Sequence, residues 1–198
     1  MKKIVLISLL LGFSSVTFAH PGHELAGTVL ASAYAGFMHP LTGLDHLLVM
    51  LAIGIWASKL GGKARWQLPL AFLTSMTIGA ILGLAGITFS GGETAIATTV
   101  MAMGLLLAIN LPIATISRIG IVAIFAVVHG MAHGVELHSQ QSYATLGGMI
   151  MATALLHGIG LLLASQRLNL ASWFQTALAW GIALSTRQIV TIFFAIFY

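Results

Sequence analysis

Cysteine is absent and charge is scarce: the 198 residues include no Cys, four Asp and Glu together, and eight Lys and Arg together. The first absence excludes a disulfide framework and any thiolate ligand. The second excludes an ordinary soluble domain, in which about 25% of residues are charged, against 6% here. No G-x-x-x-x-G-K-[ST] loop occurs, so the chain cannot itself couple ATP hydrolysis to anything through such a motif. Hydrophobic residues make up 59% of the chain, and the mean hydropathy is +1.03. These values specify an all-α integral membrane protein. The length permits one helical bundle of five to seven spans at about 20 residues each, with no sizeable soluble domain. The pI of 9.9 reflects residues that set membrane topology and gives no reason to expect nucleic acid.

Residues 1–19 read as a cleaved secretory signal, with Lys2 and Lys3 ahead of an apolar stretch and a small-residue exit at Ala19. The remainder, 20–198, reads as a single polytopic transmembrane domain. Its first residues would be His20, Pro21, Gly22, His23 and Glu24, offering a free amine and two imidazoles on the far side of the membrane. Pro21 has no amide hydrogen to lose, so an all-backbone chelate is not available there. From Leu25 to Ala57 the chain is apolar for 33 residues, about 50 Å of helix against a hydrocarbon core of about 30 Å. Pro40 is the expected break, giving a half-helix or re-entrant segment from Leu25 to Met38 and a first full span from Leu41 to Leu60. Further spans are expected at about 66–88, 93–109, 113–137 and 143–164, and a last run at 171–198. Lys59, Lys63 and Arg65 share one loop, and Arg118 and Arg167 fall in alternate later ones. This positive-inside pattern predicts an N-out, C-out bundle of six spans plus the half-helix. Gly79 with Gly83, and Gly130 with Gly134, recur at the four-residue spacing that lets helices approach closely.

Against this apolar background two polar clusters stand out. The segment 39–46, HPLTGLDH, holds His39, Asp45 and His46 at the expected break. The segment 125–138, FAVVHGMAHGVELH, holds His129, His133 and Glu136 at i, i+4 and i+7, one face of a helix. Ionisable groups inside membrane segments cost several kcal/mol unless paired or solvated, so they point to a functional site. Imidazole and carboxylate donors without thiolate suit nickel, cobalt or zinc. The predicted topology puts both clusters in the outer half of the bundle; whether they meet depends on which helices are neighbours. Asp45 is either a ligand or the group that orients a histidine. His157, some fourteen residues inward from Tyr143, is read either as a relay or as a helix-to-helix hydrogen-bond former. His138 reads as solvated, Arg187 as snorkelling or paired with a carboxylate such as Glu93, and the nine methionines as packing filler. Trp56, Trp66, Trp173 and Tyr198 fit interfacial anchors.

The two clusters, with the HPGHE start, resemble the HupE/UreJ family of bacterial nickel and cobalt permeases. The resemblance rests on a histidine followed by Asp-His, here His39, Asp45 and His46, and on an HG-x-A-HG-x-E segment, here His129, Gly130, Ala132, His133, Gly134 and Glu136. The aromatic residue common before the second motif is Val128 in this chain. The resemblance implies a non-enzymatic secondary uptake of Ni²⁺ or Co²⁺ across the bacterial inner membrane, often serving hydrogenase or urease maturation. It implies no permanent cofactor, the metal ion being the substrate, and it leaves open the choice of metal, proton coupling and homo-oligomer formation. The metal ligands it implies are His39, Asp45, His46, His129, His133 and Glu136; from the residues themselves, His20 and His23 read as mouth positions and His157 as a relay position. Two other readings of the residues stand beside it: an intramembrane zinc-dependent hydrolase with an activated water, and a sensor that binds without transporting.

Overall fold

The computed structural model describes residues 28–88, 90–109, 112–137, 141–165 and 180–181. All the regular structure among them is helical: α1 (Val29–Thr42), α2 (Leu44–Leu60), α3 (Ala64–Leu84), α4 (Gly92–Ile109), α5 (Thr115–Glu136) and α6 (Ser142–Leu163). The signal segment, His20, His23, His138, Arg167, Arg187, Trp173 and Tyr198 lie outside the described residues, as does the expected last span apart from Trp180 and Gly181.

Helix α3, α5 and α6 are each long and apolar enough to cross a membrane. A fourth crossing is made if α1 and α2 count as one broken span, bent by 76°. Helix α4 carries a shorter apolar stretch, Thr94–Leu107. Within the expected full span at Leu41–Leu60 the helix starts later, at Leu44, and its 17 residues, about 25 Å of helix, stand at the short end of what crosses a membrane.

The break is also displaced. Helix α1 starts at Thr28, whose hydroxyl accepts from the Ala31 amide at 3.1 Å. It runs through His39 and the buried Pro40 to Thr42 before Gly43 takes an extended conformation, φ −88° and ψ 112°. Proline removes one amide donor, but the turn beyond it is held by the Thr42 hydroxyl and the Gly43 amide, both donating to the His39 carbonyl at 3.1 and 3.4 Å. Gly43 then caps both helices and makes the elbow. The expectation that Pro40 itself breaks the helix is overturned by three residues.

The most extensive packing is between α3 and α5, followed by α6 against α1 and α2. Both arrangements rest on glycine. A Cβ at Gly79 or Gly83 would collide with the carbonyls of Val127 or Met131, and one at Gly130 or Gly134 with those of Met76 or Ala80. The two four-residue glycine pairs thus face each other across one contact, the close approach that drives helix association where lipid removes the hydrophobic incentive. Gly54 and Gly160 bring α2 and α6 together in the same manner, as do Gly36 and Gly148 for α1 and α6.

The interior between these pairs is filled by Met50, Ile53, Trp56, Leu68, Phe72, Met76, Val100, Met103 and Val122. Trp56 is 3% exposed, so it is a core residue and not the interfacial anchor expected of it. Ten residues of helix carry it away from the polar end at His46, and the other helices pack around it. Trp66, 68% exposed in the first turn of α3, does fit an interfacial position.

Candidate metal centre

The glycine contacts also aim the histidines. On α5, Gly130 and Gly134 lock one face onto α3, and His129 and His133 precede them by one residue each. One residue is a rotation of about 100°, so both imidazoles turn off the α3 contact toward α1 and α2. Both are buried: His129 is 3% and His133 5% exposed. Across from them, the Gly43 elbow folds the end of α1 beside the start of α2, which places His39 and His46 edge to face with ring centroids 5.3 Å apart. These two rings keep accessible surface.

All four imidazoles converge. Ring centroids are 4.7 Å apart for His129 and His133, 4.8 Å for His39 and His133, 4.9 Å for His46 and His129, and 5.1 Å for His46 and His133. Neither α1 nor α2 packs extensively on α5, so the histidines themselves bridge the gap. The Nε2 atom of His133 lies 3.1 Å from Nε2 of His46 and 3.1 Å from Nε2 of His129. One ring nitrogen carries either a proton or a lone pair, so it cannot donate to one neighbour and accept from the other. Three nitrogens so placed are poorly explained as a hydrogen-bonded chain. They suit a common ion: two imidazole nitrogens at about 2.0–2.1 Å from one metal are about 2.9 Å apart at a right angle and about 3.4 Å apart in a tetrahedron. His39, His46 and His133 likewise each offer a nitrogen, all within 4.8 Å of one another.

The carboxylates stand differently. Glu136 is 44% exposed, with Oε2 3.6 Å from Nδ1 of His133, on the opposite side of the ring from the converging Nε2. In a metal site, a carboxylate on that side would orient His133 and raise the basicity of Nε2. Asp45 lies in the first turn of α2, beside His46; its side chain, like that of Glu93, lies outside the described part.

His157 is not in the cluster. It sits in α6, 1% exposed, with its ring edge-on to Phe72 at 5.2 Å. Phe72 in turn lies 6.2 Å from His129. Nothing in the sequence singles out Phe72, one of ten phenylalanines, because an aromatic residue in the middle of an apolar helix carries no pattern of its own. Arg118, near the start of α5, lies over the Trp56 ring at 6.0 Å, toward the opposite end from the four histidines.

Comparison with known proteins agrees with the motifs. The chain is 42% identical over 182 residues to "Protein HupE" of Rhizobium leguminosarum bv. viciae, covering 91% of this chain and 92% of that one. No solved structure matches it. These comparisons give the hydrolase alternative no support. The family model described as HupE / UreJ protein matches residues 8–188, and the chain belongs to the HupE/UreJ family.

Proposed function

We propose that this protein admits Ni²⁺ or Co²⁺ through the bacterial inner membrane without ATP, and that His39, His46, His129 and His133 form the site where the ion first sheds water. The carrying observation is the meeting of three Nε2 atoms at 3.1 Å spacings between helices that otherwise scarcely touch. Asp45 and Glu136 complete the site, Glu136 by orienting His133. The mouth is supplied by His20 and His23, which raise the local ion concentration after the signal segment 1–19 is removed. The donor set lacks sulfur, so it favours borderline divalent ions over copper(I), and the affinity order puts nickel above cobalt.

A divalent ion moving inward gains about 4.6 kcal/mol per 100 mV of membrane potential, which suffices for net uptake without a second substrate. The metal is the cargo, and the family resemblance links its use to hydrogenase or urease maturation. The test is flux: purified protein in liposomes should accumulate ⁶³Ni²⁺ down an imposed potential, and His46→Ala or His133→Ala should abolish accumulation at matched protein levels. Wild-type flux through either variant would remove the cluster from the path, and binding without flux in the parent protein would make it a sensor.

A further inference from the structure

His157 is a buried polar group that the four-imidazole cluster does not account for. At 1% exposed it is among the most deeply buried side chains described, and neither Nδ1 nor Nε2 has a hydrogen-bond partner in the structure. A buried imidazole in a helical bundle ordinarily bonds a neighbouring helix, and leaving both nitrogens unmet costs stability. A structural role would be served better by an apolar residue of the same size. The ring meets Phe72 of α3 edge-on, its backbone carbonyl abuts Gly54 of α2, and Thr153, 2% exposed, lies one turn earlier on the same helix. Gly54 is eight residues beyond His46 on α2, a depth of about 12 Å below the cluster. Phe72 stands between the two levels, 6.2 Å from His129 and 5.2 Å from His157. Two residues beyond Gly54 on α2, Trp56 is buried, with Arg118 over its ring at 6.0 Å.

We propose that His157 is a second, inner metal-binding station, at which one imidazole takes the divalent ion after it leaves the four-histidine cluster and passes Phe72. This rests on the transport reading given above. The asymmetry between the stations has a physical use. Conduction needs sites that bind well enough to draw the ion in and weakly enough to let it go. Several imidazoles compete with water for the ion at the mouth, and a single imidazole holds it loosely in the interior. No proton transfer or covalent step is involved; the ion exchanges ligands.

The cysteine-free chain allows a direct test. In His157→Cys the new thiol is unique, and if it lies on the path, loading with Co²⁺ should produce a thiolate-to-cobalt charge-transfer absorption that is absent from the parent protein and from a Cys placed at Ile159, which is 37% exposed. In parallel, His157→Phe should retain equilibrium Ni²⁺ binding at the cluster and melt no lower than the parent, while its maximal ⁶³Ni²⁺ flux into liposomes falls about tenfold or more with little change in half-saturating concentration. The thiolate signal decides the matter if the phenylalanine variant fails to assemble. Absence of the charge-transfer band, or parental flux through His157→Phe, would overturn the inner station while flux still dependent on His46 leaves the transport reading intact. Absence of flux in the parent protein itself would instead strike the transport reading.

Discussion

Replacing Glu136 with glutamine and His133 with alanine should give two separate losses of metal affinity, because the two residues act on opposite sides of one ring. The carboxylate oxygen of Glu136 is 3.6 Å from Nδ1 of His133, whereas Nε2 of the same ring is 3.1 Å from both His46 and His129. In Glu136→Gln the shape and all four imidazoles remain, and only the charge that orients and polarises His133 is lost. Partners of this kind ordinarily contribute about 10–100-fold in metal affinity, or about 1.4–2.8 kcal/mol at 1.4 kcal/mol per tenfold. His133→Ala removes the imidazole that the other two share, so its loss should exceed about 100-fold and lie beyond what the carboxylate can contribute. The measurement is equilibrium competition for Ni²⁺ between the purified full-length protein and a chromophoric chelator, with helicity checked by circular dichroism. Equal losses in the two variants would refute the ordering and make Glu136 a ligand. Unchanged affinity in His133→Ala would refute the centre itself.

Gly134→Val should prevent stable assembly and abolish uptake although it touches no metal ligand, since any Cβ there meets the Ala80 carbonyl. Gly158→Ala, with open space around its Cβ, should leave both unchanged in size-exclusion and flux measurements. Uptake should fall as the external medium is acidified, because imidazole binds metal only when unprotonated and acid therefore lowers affinity. Flux equal at about pH 5.5 and 7.5 would argue against imidazole ligation. Intact-mass analysis of membrane-extracted protein should give a chain beginning at His20; a mass that includes Met1 to Ala19 would rule out the cleaved signal.

What the sequence made legible and what it did not divide along a physical line. Periodicity within one helix was readable: the i, i+4, i+7 stripe of His129, His133 and Glu136 and the glycine spacings both follow from the helical repeat, and α5 and α3 carry them as expected. Contacts between helices were not readable, because lipid-facing and buried residues are equally apolar in a membrane. Trp56 and Trp66 look alike as letters, yet one is 3% and the other 68% exposed. The elbow was misplaced for a related reason. Proline advertises a break, but with its own amide lost the turn is kept by neighbours such as Thr42, and the glycine three residues later bends instead. Which atom of His133 the Glu136 carboxylate approaches was likewise not readable, since sharing a helix face does not fix it.

The repeated His-Gly doublet shows how packing and chemistry depend on each other in this fold. Each glycine brings α5 so close to α3 that no side chain fits between them, and this contact fixes the rotation of α5 about its axis. The preceding histidines are then carried to the adjacent face by about 100°, where α1 and α2 bring His39 and His46 from the elbow. Shifting either histidine by one residue would point it into the glycine contact or toward lipid. A helix rotated by even part of a turn would separate nitrogens now 3.1 Å apart. The precision of the centre therefore comes from residues with no side chain, and variants of Gly130 and Gly134 should lose metal binding together with assembly, whereas variants of His129 and His133 should lose metal binding alone.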